Sequence, residues 1–263
     1  MSTTYTVSIH ANGSDADLHH TVLAGLPNSY RLVEKDAEVV LISAPEPGHL
    51  QRACSASTRA VVIDRAGELT PDALAAVAEI AGRSGCIVMP APRYAPRLAD
   101  VGDLLGESSV DILESTIRTT GSFQASFVEQ LALLRVVLGE AASLRVLHAS
   151  ATHYAIEAKM AEHPQTTVLL NGVATSAGAE EATLHALARD KRLVVRVDAG
   201  PIARPAEISC FDSSGERTPW PVHQHAHRIT LVRLHHLLST GESNVTDSLD
   251  HLRHDVQLAH VPW

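Results

Sequence analysis

The 263-residue chain predicts an α/β + α+β fold: a shortened Rossmann-like lobe followed by a lobe with an open, mainly antiparallel sheet. Three observations predict it. Residues 1–93 alternate short apolar runs with helical stretches, the pattern of a parallel sheet covered on both faces. Beyond Arg93 that alternation gives way to one long helical stretch and then a succession of strand-like runs separated by turns. Two helical segments close the chain. The predicted domains are 1–93, a truncated Rossmann-like domain, and 94–263, an α+β domain.

Each element has a local reason. "YTVSI" (5–9) reads as a strand and "DADLHHTVLAGL" (15–26) as a helix with Ser14 as N-cap. "AEVVLISAP" (37–45) is a buried strand stopped by proline, and "GHLQRACSA" (48–56) a short helix. The run at 60–63 is a strand, and Thr70 followed by Pro71 opens a helix over 70–83. "CIVMP" (86–90) is the next strand. A helix near 96–105 precedes the alternating strand "VDILESTIR" (110–118) and a helix over 124–138 ended by Gly139. Strands follow at 144–151, 166–174, 182–189, 192–198 and 206–212, then helices at 225–238 and 247–260.

Composition narrows the function. A net charge of −9 and 3% aromatic residues argue against a nucleic-acid groove. The sequence offers no apolar run of the ~20 residues a bilayer span needs and opens on no secretory signal, so a soluble, cytoplasmic protein without membrane contact is expected. Cys54, Cys86 and Cys210 lack metal-ligand spacing and read as reduced thiols. Three of the 16 histidines, His223, His225 and His227, alternate. Their segment enters a helix, where that spacing splits them, and no metal is expected.

The order of these parts resembles the Gfo/Idh/MocA family of dehydrogenases. The segment "VVLISAPEPGHLQRACSASTRAVVIDRAGELTPDALAAVAEIAGRSGCIVMPAPRYAPRL" (39–98) is similar to the family's Thr-Pro-type turn, nearby His, Glu-Lys-Pro strand end and following helix. Within it "RYAP" (93–96) resembles the crossing into the second lobe. "FVEQLALLRVVLGE" (127–140) resembles the long substrate-lobe helix, and 231–258 the closing helices. The resemblance implies a nicotinamide cofactor held by G-x-G-x-x-G, with a Lys and an Asp-x-x-x-His pair for the chemistry.

This chain departs from that pattern. Its loop gives Ala11-x-Gly13-x-x-Ala16, with Asp15 and Asp17 where a diphosphate would approach. Only about ten residues separate Leu26 from the strand at Ala37, so the adenosine half of the lobe reads as cut away, and neither Glu34 nor Asp36 is expected to replace the ribose-binding acid. Asp64-Arg65 stands at the Glu-Lys position, where Arg is a poor proton-transfer group but can orient an anion or carboxylate. Ala125 and Glu129 stand at the Asp and His positions.

The expectation is a homologue without NAD(P) or other cofactor: an isomerase-, lyase- or cyclase-type enzyme acting on a small polar or carboxylated molecule in a cleft between the lobes. Glu129 and Arg65 are its candidate catalytic residues. Arg93, Tyr94, His49 and Asp64 are candidate substrate-binding residues, and Gly13 is a vestige of the cofactor cradle. Two alternatives stand beside it. One is an inactive subunit pairing with itself or an active paralogue through the C-terminal sheet. The other is an NAD(P)-dependent dehydrogenase with a rebuilt cradle. A homodimer or heterodimer is expected in any case.

Overall fold

A computed structural model describes residues 3–43, 47–54, 57–98, 101–106, 108–176, 180–199, 204–219, 221, 223–241 and 249–260. The turn at 44–46 and the expected helix start at 247 lie outside these residues. The chain divides into two units: Met1–Pro92 with His225–Gln257, and Arg93–Gln224 with Leu258–Trp263.

The first unit begins β1 (Tyr5–His10), α1 (Ser14–Ala24), β2 (Tyr30–Leu32), β3 (Val39–Ser43), α2 (Pro47–Ala53), β4 (Ala60–Asp64), α3 (Pro71–Ser84) and β5 (Ile87–Ala91). All strands are parallel, in the order β2-β1-β3-β4-β5. Val, Ile and Leu fill β3 and β4 because both faces of a parallel sheet are covered. The order reverses between β1 and β3, and the ends of these two strands flank the crevice where such sheets bind ligands. Helix α3 is delimited as its sequence requires. Thr70 Oγ1 accepts a hydrogen bond from the Ala73 amide at 3.2 Å, and Gly85 ends the helix at φ +66°.

The second unit contains α4 (Val101–Leu105), β6 (Val110–Thr119), α5 (Phe123–Leu138), β7 (Ala141–Ala149), β8 (His153–Met160), β9 (Thr167–Ala174), β10 (Glu181–Ala188), β11 (Arg192–Asp198), β12 (Glu207–Asp212) and β13 (Gly215–Arg217). The strands form one sheet in the order β13-β12-β11-β10-β6-β9-β8-β7. Among the described residues only β6 and β9 pair in parallel. Helix α5 covers one face. On it Gln130 is fully buried and satisfied. Its Nε2 donates to Ser115 O (3.0 Å), Ser115 Oγ (3.1 Å) and Asn171 O (3.1 Å), while its Oε1 accepts from the Tyr154 hydroxyl at 2.9 Å.

The helices α6 (Ala226–Thr240) and α7 (Leu249–Ala259) close the chain. Leu231, Leu234, Leu237 and Leu238 of α6 join Tyr5, Val7, Val39 and Leu41 in one core cluster, and the Tyr30 hydroxyl donates to Leu231 O at 2.7 Å. This burial returns α6 to the first unit, unlike the single expected boundary at 93/94. The helix expected over 96–105 is instead a 3-10 turn (Ala95–Leu98) and the five-residue α4. Pro96 and Gly102 disfavour an unbroken α-helix there. No described helix is long and apolar enough to cross a membrane.

Candidate functional site

Gly13 caps α1 at φ +58°, ψ −134°, a conformation that favours glycine. A Cβ built there meets nothing within 4 Å, so the surface beside the turn is open. No side chain caps the helix start. A nucleotide diphosphate needs a backbone it can approach closely and free amide donors at a helix N-terminus, and this turn supplies both. The charges of Asp15 and Asp17 oppose it, offset on one side by Arg65, whose Nη1 lies 3.8 Å from Asp15. Strand β2 is present beside β1, with Glu34 just beyond its end. The third strand of a full dinucleotide fold is absent among the described residues.

Asp64 ends β4 and is 4% exposed. Its Oδ1 accepts the Arg65 amide at 2.8 Å and lies 3.0 Å from His227 Nε2; its Oδ2 lies 3.9 Å from His19 Nε2. The strand end expected to face substrate is thus buried among histidines from α1 and α6. Arg65 is one of two non-glycine residues at positive φ among those described (+55°). Its guanidinium is held by Glu68, with Nε to Oε1 at 2.7 Å. His49 is exposed on α2. Burial pulls His19 down to about 4, with nearby His227 adding to the fall and Asp64 opposing it.

In the second unit the structure brings Arg93, Tyr94 and Glu129 together. The Arg93 amide donates to Glu129 Oε2 at 2.8 Å, so the residue at the family's His position is a carboxylate tied to the start of the unit. The Arg93 guanidinium pairs with Glu180. Burial alone would raise the Glu180 carboxyl, but Arg93 and hydrogen bonds from Thr120 and Thr119 outweigh it and hold it below its ordinary range. Tyr94 is 2% exposed, and burial, then Glu129 and Glu180, push its hydroxyl far above the usual range. Nearby Arg97 is buried. Its Nη1 donates to Asp198 O at 2.6 Å, but Nε and Nη2 find no hydrogen-bond partner among the described residues. Neither Glu180 nor Arg97 was singled out from the sequence, because neither belongs to a motif. Arg65 and Glu129, the two candidate catalytic residues, lie in different units, each with partners in its own.

The five-stranded parallel sheet and the eight-stranded mixed sheet with its long helix define the fold of the Gfo/Idh/MocA-type oxidoreductases. Solved structures with this fold cover nearly the whole chain. UDP-N-acetylglucosamine 3-dehydrogenase GnnA from Acidithiobacillus ferrooxidans matches at 11% identity, over 98% of this chain and 96% of its own, with a TM-score of 0.72. An oxidoreductase from Desulfitobacterium hafniense described as NADPH-dependent matches at 9% identity, over 97% and 94%, with a TM-score of 0.75. An oxidoreductase from Agrobacterium radiobacter, in complex with NAD+, L-tartaric acid and magnesium, matches at 12% identity, over 98% and 94%, with a TM-score of 0.69. No family model and no curated protein matches the chain.

These neighbours correct the expectation of a chain without a cofactor. One is described as NADPH-dependent and another holds NAD+. The expectation rested on the missing glycines at positions 11 and 16 together with the shortened adenosine half and the absent Lys, Asp and His. The one position whose backbone conformation demands glycine, Gly13, still has it.

Proposed function

We propose that this chain is an oxidoreductase that takes a nicotinamide nucleotide at the β1–α1 turn and acts on a small carboxylated or otherwise anionic molecule. The observation that carries the reading is Gly13. Its left-handed backbone and open surroundings stand at the switch point of a parallel sheet. The bound nucleotide would supply hydride transfer. Gly13 and the first amides of α1 would bind its diphosphate, with Arg65 neutralising Asp15, and Glu34 would take the ribose hydroxyls. Within the second unit, Glu129 is the candidate to hold and move a proton. Arg93 and Arg97 are the cations that suit an anionic substrate, since the two unsatisfied donors of Arg97 are costly to bury without an acceptor.

A second reading is favoured by the Arg93–Glu129 contact: proton transfer without net redox change on the same class of substrate, as in an isomerase or lyase. The exposed face of the second sheet also suits a dimer. Ile112, Leu147, Val173, Leu187 and Phe211 are exposed there, beside Arg145, Arg192 and Arg196 and the acidic Glu157 and Glu207, a mixture of signs that can complement a second copy.

Fluorescence titration with NADH and NADPH tests the nucleotide reading. The expected result is binding at micromolar concentrations that weakens at least tenfold in Gly13→Val and is unaltered in Glu129→Gln. Equal affinity in wild type and Gly13→Val would reject it.

A further inference from the structure

We propose that His19, Asp64 and His227 form a binding site for one divalent transition cation of the zinc class, tying α1 and α6 to the end of β4. One ligand atom from each of the three residues lies within 4.8 Å of the other two. A tetrahedral ion with bonds of about 2.0–2.1 Å places its ligands roughly 3.3 Å apart. The Asp64 carboxylate faces both imidazoles at comparable distances, Oδ1 at 3.0 Å from His227 Nε2 and Oδ2 at 3.9 Å from His19 Nε2. Two imidazoles and one carboxylate suit zinc and its transition-metal neighbours, not calcium or magnesium, which prefer oxygen.

The hydrogen bonds around the cluster point to a cation. His225 Nδ1 accepts the His227 amide at 3.3 Å as the N-cap of α6, so it carries a lone pair. His227 Nδ1 lies 3.0 Å from that same atom and must donate to it. In neutral His227 the other nitrogen, Nε2, then presents a lone pair toward the Asp64 carboxylate. Nε2 is buried and makes no aligned hydrogen bond despite the close oxygen. His19 Nδ1 is also buried with no partner among the described residues. An imidazole nitrogen of His227 aimed at a buried carboxylate without a hydrogen bond is costly as it stands. A cation between His227 Nε2, Asp64 and His19 Nε2 satisfies it. The outer contacts match those of metal sites, where each ligand is oriented by a further hydrogen bond. His225 orients His227, and the Arg65 amide holds Asp64 Oδ1 at 2.8 Å. Ser43 Oγ, 3.4 Å from His19 Nε2, stands near for a further coordination position. All three ligands are at most 5% exposed, which fits a clamp within the first unit.

The test uses the full chain, stripped with chelator and titrated with Zn2+ and with Co2+ against a chromophoric competitor, without nucleotide. The expected result is one equivalent bound, with the visible absorption of four-coordinate Co2+. Asp64→Asn and His227→Gln should each weaken binding at least 100-fold, whereas His153→Gln, an exposed histidine on β8, should not change it. X-ray absorption of the wild-type zinc complex guards against misfolded variants and should report nitrogen and oxygen ligands with two imidazoles. Failure to bind one equivalent, a zinc shell containing sulfur, or binding unchanged in folded Asp64→Asn would overturn the proposal and leave an Asp64–His227 ion pair only.

Discussion

Replacing Gly172 with alanine should destabilise the second unit severely, although both residues are small. Gly172 on β9 sits directly across from Tyr154 on β8. A Cβ at 172 would stand 2.0 Å from Tyr154 Cε1 and 2.2 Å from Cζ, where ordinary contact needs about 3.5 Å or more. The ring must therefore move by more than an ångström. That movement breaks the 2.9 Å hydrogen bond from the Tyr154 hydroxyl to Gln130 Oε1. It also disturbs the edge-to-face contacts with Phe123 and Phe127, whose ring centroids lie 5.4 and 5.5 Å away. A buried polar group left unsatisfied costs about 1–3 kcal/mol, overpacking about 1–3 kcal/mol, and each aromatic pair about 0.5–1.5 kcal/mol. The stiffer unfolded chain returns about 0.4–1 kcal/mol. The net expectation is a loss of about 2–9 kcal/mol in urea unfolding. In a Tyr154→Ala background the same substitution should be nearly neutral, because the clashing ring is gone. A loss below about 1 kcal/mol, or the same loss in both backgrounds, would refute the reasoning. The clamp matters beyond stability: Gln130 follows Glu129 on α5, so its hydrogen bonds set the rotation of the helix that carries the proposed acid/base.

Three further outcomes are expected. Thr70→Ala removes the N-cap of α3 and should cost about 1 kcal/mol in the same unfolding assay, since the Ala73 amide loses its acceptor. Gly13→Ala should cost about 1–2 kcal/mol from backbone strain alone, because no atom stands near the added Cβ; a neutral result would mean the turn does not need its left-handed glycine. Glu180→Gln should destabilise the protein at neutral pH. The folded-state carboxyl lies below its ordinary 4.5, so its stabilising contribution is fully present above that value and is lost as pH falls through the lower folded value. The difference between wild type and Glu180→Gln, followed by thermal unfolding, should therefore shrink in acid; a difference that grows in acid would contradict the pairing with Arg93.

The fold was largely legible because it is written in local patterns. The apolar runs of β3 and β4, the Thr70-Pro71 helix start and the Gly139 stop each act within a few residues. β8 was missed because "HYAIEAKM" mixes alternation with Ala, Glu and Lys, poor strand formers that only pairing with β7 and β9 makes extended. The return of α6 to the first unit was also hidden, since a leucine stripe does not name the core that it joins. The site was less legible. Arg93 and Glu129 were picked from their places in the family's pattern, and the structure joins them. His19, Asp64 and His227 are far apart in sequence, and nothing local connects them. His227 was noticed only with His223 and His225, where alternation was the wrong geometry: His225 is its cap and hydrogen-bond partner, while His223 is exposed. The cofactor expectation counted residue letters, the glycines, the ribose acid and the Lys, Asp and His of the family's pattern, and such a count does not register the positive-φ turn that Gly13 keeps.

The most direct test of the central claim is calorimetric titration of the purified protein with NAD+, NADH, NADP+ and NADPH. Binding of at least one at micromolar dissociation constant, about 8 kcal/mol, is the predicted result. No heat with any of the four up to about a millimolar, the limit near 4 kcal/mol, would contradict a nucleotide site at the β1–α1 turn.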